Sequence, residues 1–365
     1  MIVDSGIAPL VAGVFAGAVL GFVARRQHFC TMGSLERHWY AGDSSGLRTW
    51  ALAILSAIVF TEILVRFGLF DPADSFYTTL SFGWTGAILG GLAFGFGMAL
   101  VGTCGFGALV RLGGGSLRGL IVVLVLGLSA LAAQRGVIGL GRIAIVDDAA
   151  FDLGRLGAPD QTLPGLVQGV TGLDLRLPVV VAVCLALALW IGREAVFRRD
   201  VGRIATGVLI GAVIAFGWAA TSAIADASFQ PVRIESASFV VPPGELILHA
   251  ITYTGALPSY GVGLTLGVVL GAAMAAMLRR EVRWEACDDA RELSRHLLGA
   301  VLMGVGGVFS LGCTIGQGIS AASLLTISAP VVLVSIAIGA RLGLAYLLEG
   351  SIRHAFTRAD RFPAQ

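Results

Sequence analysis

Apolar runs of about 20 residues recur from one end of the chain to the other, and they constrain its fold more than any other feature. The 365 residues are 56% hydrophobic and only 13% charged, which is far from the composition of ordinary soluble domains. A helix of about 20 apolar residues crosses a hydrocarbon core of about 30 Å. The sequence therefore predicts an all-α polytopic membrane protein with about nine transmembrane helices. The predicted spans are 7–24, 48–67, 82–101, 117–133, 178–192, 203–224, 258–278, 297–312 and 327–348.

The basic residues, all of them arginines, predict how these spans are oriented. They cluster in segments that alternating spans place on one side, such as 193–203 and 279–295. The loop at 70–79, expected on the other side, carries acids and no arginine. Because cytoplasmic loops are enriched in basic residues, we expect the N-terminus outside the membrane and the C-terminus in the cytoplasm. The external loops 135–177 and 226–257 are long, and we expect them to cap the outer mouth.

One spacing occurs three times along the chain: a glycine, eight residues, a cysteine, two residues and a second glycine. Two of the copies share a further glycine seven residues before the cysteine. A degenerate fourth copy is indicated near Gly207 and Gly211, with Ala220 where a cysteine would stand. The three full copies are Gly21, Cys30 and Gly33; Gly95, Cys104 and Gly107; and Gly304, Cys313 and Gly316.

This repetition predicts a chain built from two related halves. The first pseudo-repeat covers about 1–134, a connector about 135–200, and the second pseudo-repeat about 201–365. The connector contributes one span, so the second half is inverted relative to the first. Inverted repeats are typical of secondary transporters, whose substrates bind near the bilayer midplane at interrupted helices. The stretches after the motif cysteines are too polar or broken for lipid-facing helix, and we expect them to be re-entrant or to line a cavity.

The residues alone leave more than one chemistry open for the three motif cysteines. A disulfide set is disfavoured because five cysteines is an odd number and cytoplasm-facing thiols stay reduced. A zinc site is disfavoured because no C-x-x-C pair occurs. Thiol–disulfide exchange remains possible. The favoured interpretation is recognition, since a thiol is a weak donor and a soft acceptor suited to a sulfur-containing anion. We assign no function to Cys184 or Cys287.

Four further residues near the motif cysteines are candidates for substrate binding. Gly105 directly follows the second motif cysteine, and Arg111 either attracts an anion or anchors the span at the cytoplasmic surface. Thr314 and Gln317 either donate to an anion or satisfy the backbone where the helix breaks. Arg341 lies deep in the last span. It either faces the path as a charge or pairs with Glu349.

Several stretches around the motif cysteines resemble the YeeE/YedE family of bacterial inner-membrane proteins, which includes thiosulfate uptake transporters. The resemblance implies a bundle of nine spans with short re-entrant helices. It also implies that Cys30, Cys104 and Cys313 line a central path and pass thiosulfate along by hydrogen bonds from thiol to sulfur. A small cytoplasmic TusA-like sulfur carrier is the implied partner. The stretches are "ARRQHFCTMGSLER", "GLAFGFGMALVGTCGFGALVRLGGGS", "YGVGLTLGVVLGAAMAA" and "HLLGAVLMGVGGVFSLGCTIGQGIS".

The expected function is uptake of thiosulfate, or a close sulfur oxyanion, across the bacterial inner membrane. No enzymatic activity, cofactor or resident metal is expected, because no positioned base or metal motif accompanies the thiols. We expect the protein to be surrounded by membrane lipid, and we expect no nucleic-acid partner. Three alternatives stay open at this point: transport of a selenium compound, a membrane thiol–disulfide oxidoreductase, and a structural subunit that docks a partner through its basic 279–296 loop.

Overall fold

The chain folds into a bundle of helices with one two-residue β-pair. The computed structural model describes residues 6–228, 231–252, 258–287 and 289–350. Strands β1 (Ser81–Phe82) and β2 (Phe151–Asp152) pair antiparallel. The helices are α1 (Ala8–Gln27), α2 (Thr31–Ala41), α3 (Ser45–Arg66), α4 (Gly91–Val101), α5 (Gly105–Gly113), α6 (Leu117–Arg135), α7 (Ile138–Arg142), α8 (Leu163–Thr171), α9 (Arg176–Gly192), α10 (Ala195–Arg199), α11 (Val201–Ala227), α12 (Val241–Ile251), α13 (Tyr260–Leu278), α14 (Ala290–Phe309) and α15 (Ser328–Glu349). Wider turns of π-helix occupy Gly86–Gly90, Ile143–Asp147 and Gly316–Ala321, and 3₁₀ turns occupy Pro72–Asp74, Phe76–Thr78 and Leu153–Leu156.

The predicted all-α polytopic membrane fold is confirmed. Seven helical stretches of the described chain are long and apolar enough to cross a membrane. Each of the nine predicted spans overlaps one helix, but α9 has only 17 residues and α14 begins with the charged sequence "ARELSR". The count of nine spans therefore stays a prediction.

Glycine-lined contacts hold the long helices together in pairs. Helix α1 packs along α13, α3 along α11, α4 against both α14 and α15, and α6 against α14. In the α1–α13 pair, a Cβ on Gly17 would overlap the carbonyl oxygen of Leu264, and one on Gly267 would overlap that of Val14. Small residues allow such close approach of backbones in membrane proteins. The two glycine series in the sequence, at 13, 17, 21 and at 263, 267, 271, thus face each other.

The first glycine of each cysteine motif lies at one of these helix crossings. A Cβ on Gly21 would overlap the carbonyl oxygen of Val268 on α13, and one on Gly95 would overlap that of Ile336 on α15. A Cβ on Gly304 would come within 2.6 Å of the Leu126 carbonyl oxygen on α6. The repeated glycine is thus explained by packing, because a side chain there would push the two helices apart.

Charged side chains in the bundle have partners that the structure identifies. Glu62 pairs with Arg66 one helical turn away at 3.4 Å, as the sequence spacing indicates, and also with Arg176 at 3.2 Å. The guanidinium of Arg341 lies over the rings of Trp39 and Tyr40 on α2, 5.7 and 5.0 Å from their centroids. Arg341 therefore ties α15 to the short helix that follows Cys30.

The long segment between α6 and α9 folds over one end of the bundle. Its strand β2 pairs with β1, and the backbone N–H of Gln161 donates to the Thr78 carbonyl oxygen at 3.2 Å. The Gln161 carbonyl oxygen accepts from the N–H of Ile327 at 3.0 Å, just before α15. The segment thereby joins the loop after α3 to the start of the last helix.

Candidate functional site

Each motif cysteine lies at a helix break with the same backbone pattern. A helix ends, the residue two positions before the cysteine adopts a left-handed conformation, and a new helical segment starts just after the cysteine. The left-handed conformation reverses the chain direction, and it is unfavourable for residues other than glycine. The left-handed residues are His28 (φ 53°), Gly102 (φ 73°) and Leu311 (φ 57°), which precede Cys30, Cys104 and Cys313.

The second glycine of the motif places a backbone N–H against the cysteine sulfur. The N–H of Gly316 donates to Sγ of Cys313 at 3.3 Å, and the N–H of Gly107 bonds in the same way to Cys104. Each sulfur thus acts as an acceptor at the first turn of the new helical segment. Because a thiol can donate as well as accept, its S–H stays available for another group.

The three breaks meet in the middle of the bundle. The Thr31 hydroxyl, next to Cys30, donates to the Thr314 hydroxyl at 3.2 Å, and the Cys104 thiol shares a hydrogen bond with Thr314. Cys104 and Cys313 are each only 1% exposed, and Thr314 is fully buried. We call Cys30, Thr31, Cys104, Cys313 and Thr314 the thiol layer. Its five members come from three separate parts of the sequence.

A fourth segment, whose position the sequence analysis did not predict, packs against the thiol layer. It comprises residues 235–240 between α11 and α12. The Ser320 hydroxyl donates to the Ala237 carbonyl oxygen at 2.7 Å, and the rings of Phe239 and Phe106 lie 4.9 Å apart. A Cβ on Gly105 would come within 2.8 Å of the Phe239 carbonyl oxygen. Gly105 thus allows close approach of the 235–240 segment to the start of α5.

The degenerate fourth copy of the motif was expected around Ala220, and that position is wrong. Ala220 lies inside α11, which continues to Ala227. Residues 231–238 belong to no helix or strand, and α12 begins at Val241. The signal in the sequence was the run "SASFVVPPG" at 236–244, where small residues and two prolines interrupt the apolar pattern.

Two cavities open at opposite ends of the same two helices. The basic cavity, of about 630 Å³, reaches Arg118 at the start of α6 and Glu292 at the start of α14. The second cavity, of about 280 Å³, reaches Gln134 at the other end of α6 and Val308 at the other end of α14. Sixteen helical residues separate Arg118 from Gln134, or about 24 Å along the axis. Five arginines and three glutamates line the basic cavity, so arginines are in excess: Arg25, Arg111, Arg118, Arg283 and Arg295, with Glu281, Glu285 and Glu292.

The thiol layer lies between these cavities. Thr103, which lines the basic cavity, directly precedes Cys104, and Gly312, which lines the second cavity, directly precedes Cys313. Within the described residues, neither cavity is lined by a motif cysteine. The buried thiols therefore separate two water-accessible spaces that approach them from opposite ends.

The other predicted site residues occupy different positions around this layer. Arg111 lines the basic cavity and donates from Nη2 to the Gly102 carbonyl oxygen at 2.9 Å, at the break before Cys104. Gln317 is fully buried, donates from Nε2 to the Ser310 carbonyl oxygen at 3.0 Å, and accepts from the Ser328 hydroxyl at 3.2 Å. Both ends of the Gln317 amide thus stabilise the loop around Cys313.

Thr103 is a candidate that the sequence analysis missed. The residue lines the basic cavity beside Cys104 and is 2% exposed, and its hydroxyl oxygen is buried without a hydrogen-bond partner among the described residues. Buried hydroxyls are normally bonded, and leaving one unbonded costs about 1–3 kcal/mol. A ligand that reached this hydroxyl from the cavity would satisfy it. Its only sequence signal was its place between Gly102 and the cysteine.

Comparisons with known proteins show which family the chain belongs to. The thiosulfate transporter TsuA of Escherichia coli (strain K12) is 25% identical over 343 residues, which cover 87% of this chain and 88% of that protein. The family model described as sulphur transport matches residues 26–342, a range that contains all three helix breaks and the 235–240 segment. Because this match spans most of the sequence, the chain belongs to the sulphur transport (YeeE/YedE) family.

Proposed function

We propose that the protein imports thiosulfate, or a close sulfur oxyanion, across the bacterial inner membrane through the thiol layer. The observation that carries the proposal is the position of Cys104 and Cys313, buried between two cavities that approach them from opposite ends. Membership of the sulphur transport family and the similarity to a thiosulfate transporter support the substrate class.

The basic cavity is the cytoplasmic mouth in this proposal. Its arginines belong to the segments that the positive-inside rule places in the cytoplasm, so the N-terminus lies outside. The substrate enters by the second cavity, passes Gly312 and Cys313, crosses the layer at Cys104 and Thr314, and leaves past Thr103. The positive charge of the basic cavity lowers the energy of the anion as it leaves the thiols.

The thiols replace part of the hydration of the substrate in this account. Each motif sulfur with a bonded backbone N–H keeps its S–H available to donate to an anion. A thiol is a weak donor, and passage needs sites from which an ion leaves readily. Substrate bonds are neither made nor broken, so the protein acts as a transporter rather than an enzyme.

The pairing of helices supports the proposal that the chain consists of two inverted halves. Exchanging the halves takes α1 to α11, α3 to α13, α4 to α14 and α6 to α15. The α1–α13 contact then corresponds to the α11–α3 contact, and the α4–α15 contact corresponds to the α14–α6 contact. In each pair, one helix comes from residues 8–135 and the other from residues 201–349. A break in the helix follows each of α1, α4, α11 and α14. The break after α11, which contains the 235–240 segment, lacks a cysteine.

A cytoplasmic sulfur-carrier protein resembling TusA is the proposed partner. The exposed Arg283 and Arg295 at the mouth of the basic cavity give it a positively charged surface, where an acidic patch on a carrier would bind. We expect copurification with the carrier to weaken when both arginines are replaced by glutamine. The matched control is Arg198→Gln with Arg199→Gln, at the end of α10 and outside the basic cavity.

Uptake of radiolabelled thiosulfate tests the function directly. The assay uses cells that lack other importers, and it compares wild type with Cys30→Ser, Cys104→Ser and Cys313→Ser, with Cys184→Ser as the control away from the layer. We expect uptake by wild type and the control, and its loss in the three motif variants at equal abundance in the membrane. Unlabelled sulfate and selenite serve as competitors.

Each rival function predicts a different result in the same assay. Stronger competition by selenite than by unlabelled thiosulfate would reassign the protein to selenium compounds. A redox-dependent disulfide between two motif cysteines, with mixed disulfides accumulating in the serine variants, would favour a thiol oxidoreductase. Absence of thiosulfate uptake by the wild-type protein would overturn the proposal.

A further inference from the structure

Glu235 is a buried acid that the proposed transport path does not use. The residue is only 9% exposed, and no ion pair to its carboxylate is found within the part of the chain that the structure describes. The neighbouring acid Glu245 differs, since it lies 3.9 Å from Arg135 and 4.0 Å from Arg233. A carboxylate removed from water without a paired charge is costly, and such a group tends to take up a proton.

The position of this carboxyl ties the 235–240 segment to two long helices. Its Oε1 accepts the backbone N–H of Gly261 at 3.2 Å, in the first turn of α13. The backbone of Glu235 exchanges hydrogen bonds with the Thr221 hydroxyl on α11, which donates to the Glu235 carbonyl oxygen at 3.0 Å. The bond to Gly261 is strong while the carboxyl is charged and weakens when it is protonated.

Four charged or titratable groups face the Glu235 carboxyl. They are Arg233 on its own segment, Glu245 on α12, Tyr260 on α13 and Tyr77 from the turn after α3. The Tyr260 hydroxyl is buried and has no hydrogen-bond partner among the described residues. A neutral hydroxyl without a partner beside a carboxyl is a suitable group to pass a proton to or from it.

Protons reach Glu235 from one end of the bundle, and polar groups continue from it toward the other. Glu235 lines the second cavity and also a neighbouring cavity of about 210 Å³. The Tyr260 hydroxyl and Ser236 Oγ both lie within 2.8 Å of the position that a Cβ on Gly217 would take. Farther along the segment, Ser238 shares a hydrogen bond with the Tyr77 hydroxyl, next to the loop of Cys313. These hydroxyls lie between Glu235 and the loop of Cys313.

Thiosulfate carries two negative charges, so its entry into a cell with a negative interior is opposed by the membrane potential in proportion to that charge. Each proton that enters with the anion offsets one of these two charges and lets a proton gradient drive accumulation. We propose that Glu235 is a proton-binding site that couples substrate entry to proton entry. The carboxylate takes a proton from the second cavity, its bond to the Gly261 N–H weakens, and the 235–240 segment moves off the thiol layer. The displaced segment opens the site toward the basic cavity, where the carboxyl releases the proton to water. This inference rests on the proposed function.

Purified full-length protein in liposomes separates the two proposals. Exchange of labelled thiosulfate, with equal thiosulfate on both sides, requires transport but no net proton movement. Accumulation driven by an inward proton gradient, together with acidification read by a pH-sensitive dye inside, requires coupling. The variant is Glu235→Gln, which keeps size and hydrogen bonding. The matched control is Glu62→Gln, a largely buried acid that pairs with Arg66 and Arg176 instead.

We expect the wild type and the control to exchange, to accumulate thiosulfate under the proton gradient and to acidify the lumen. Glu235→Gln should exchange within about two-fold of wild type but lose accumulation by about ten-fold or more, without acidification. Coupling is overturned if wild type transports without acidification, if Glu235→Gln still accumulates, or if Glu235→Gln also loses exchange, which would make Glu235 a structural residue. If wild type does not exchange thiosulfate at all, the proposed function itself fails.

Discussion

The hydroxyl of Thr31 donates a 3.2 Å hydrogen bond to the hydroxyl of Thr314, although 283 positions separate the two residues in the sequence. Each threonine directly follows a motif cysteine, so this bond joins the helix break near the N-terminus to the break near the C-terminus. Thr314 also bonds the Cys104 thiol, which belongs to the third break. One buried hydroxyl therefore links all three segments of the thiol layer.

Replacing Thr314 with valine removes both of these bonds while keeping the volume of the side chain. We expect a loss of about 1–3 kcal/mol of stability, because the Thr31 hydroxyl and the Cys104 thiol lose a buried partner. Thiosulfate uptake should fall, and Thr314→Ser should retain most of it. Uptake at matched membrane abundance and thermal unfolding of the purified protein in detergent are the two measurements. Wild-type uptake by the valine variant would show that Thr314 has no part in the path.

Replacing Thr103 with valine tests a different point, because its hydroxyl bonds no other described residue. The melting temperature should not fall and should rise, because valine removes the cost of a buried hydroxyl without a partner. If the hydroxyl bonds the passing anion, its loss costs about 1 kcal/mol, or about a five-fold rise in the KM for uptake. Thr103→Ser is the matched control and should keep the wild-type KM. An unchanged KM in the valine variant would remove Thr103 from the path.

Replacing a motif glycine at a helix crossing with alanine should lower the stability of the protein. In Gly95→Ala, the new methyl group would overlap the Ile336 carbonyl oxygen, so α4 and α15 must separate. Overpacking of this kind costs about 1–3 kcal/mol. In Gly192→Ala, at the end of α9, the methyl group meets no atom within 4 Å and should leave the melting temperature unchanged. Equal melting temperatures for the two variants would contradict the close approach.

The burial of the thiols predicts the order in which they react with a maleimide. Cys287, half-exposed in the loop before α14, and the half-buried Cys30 should be labelled first. Cys104 and Cys313 should react about ten-fold or more slowly, because reactivity requires access to the thiol. Mass spectrometry of peptides from time points gives each rate. Fast labelling of Cys313 in the absence of substrate would mean that the thiol layer is open at rest.

The helices were predictable from the sequence because the lipid environment imposes a simple rule on them. A run of apolar residues such as 117–133 can only be helical in hydrocarbon, and α6 occupies Leu117–Arg135. The charged first turn of α14 lay outside the predicted span, since a hydropathy argument sees only the apolar part. The number of crossings depends on where the membrane surfaces fall, and hydropathy leaves that open for the 17-residue α9.

The parts of the site that a characteristic residue type marks were predictable from the sequence. The parts that only the backbone forms were not. Cysteine spacing located three breaks, and the structure brings Cys104 and Thr314 into contact. The 235–240 segment has no cysteine and contributes partly through carbonyl oxygens, which every residue type possesses. Thr103 was missed because a lone threonine in a broken stretch has many roles, and its unbonded hydroxyl appears only in three dimensions.

The α1–α13 contact carries a consequence for how the halves move. Its surfaces are backbone against backbone, with Gly17 and Gly267 where interlocking side chains would otherwise stand. Sliding of packed helices normally requires side chains to leave one set of grooves and enter another. Here the glycines repeat only every four residues, and a smaller shift would place the Cβ atoms of the residues between them against carbonyl oxygens of the partner helix. The two helices are therefore locked in register, and the segment that leads to Cys30 moves together with α13.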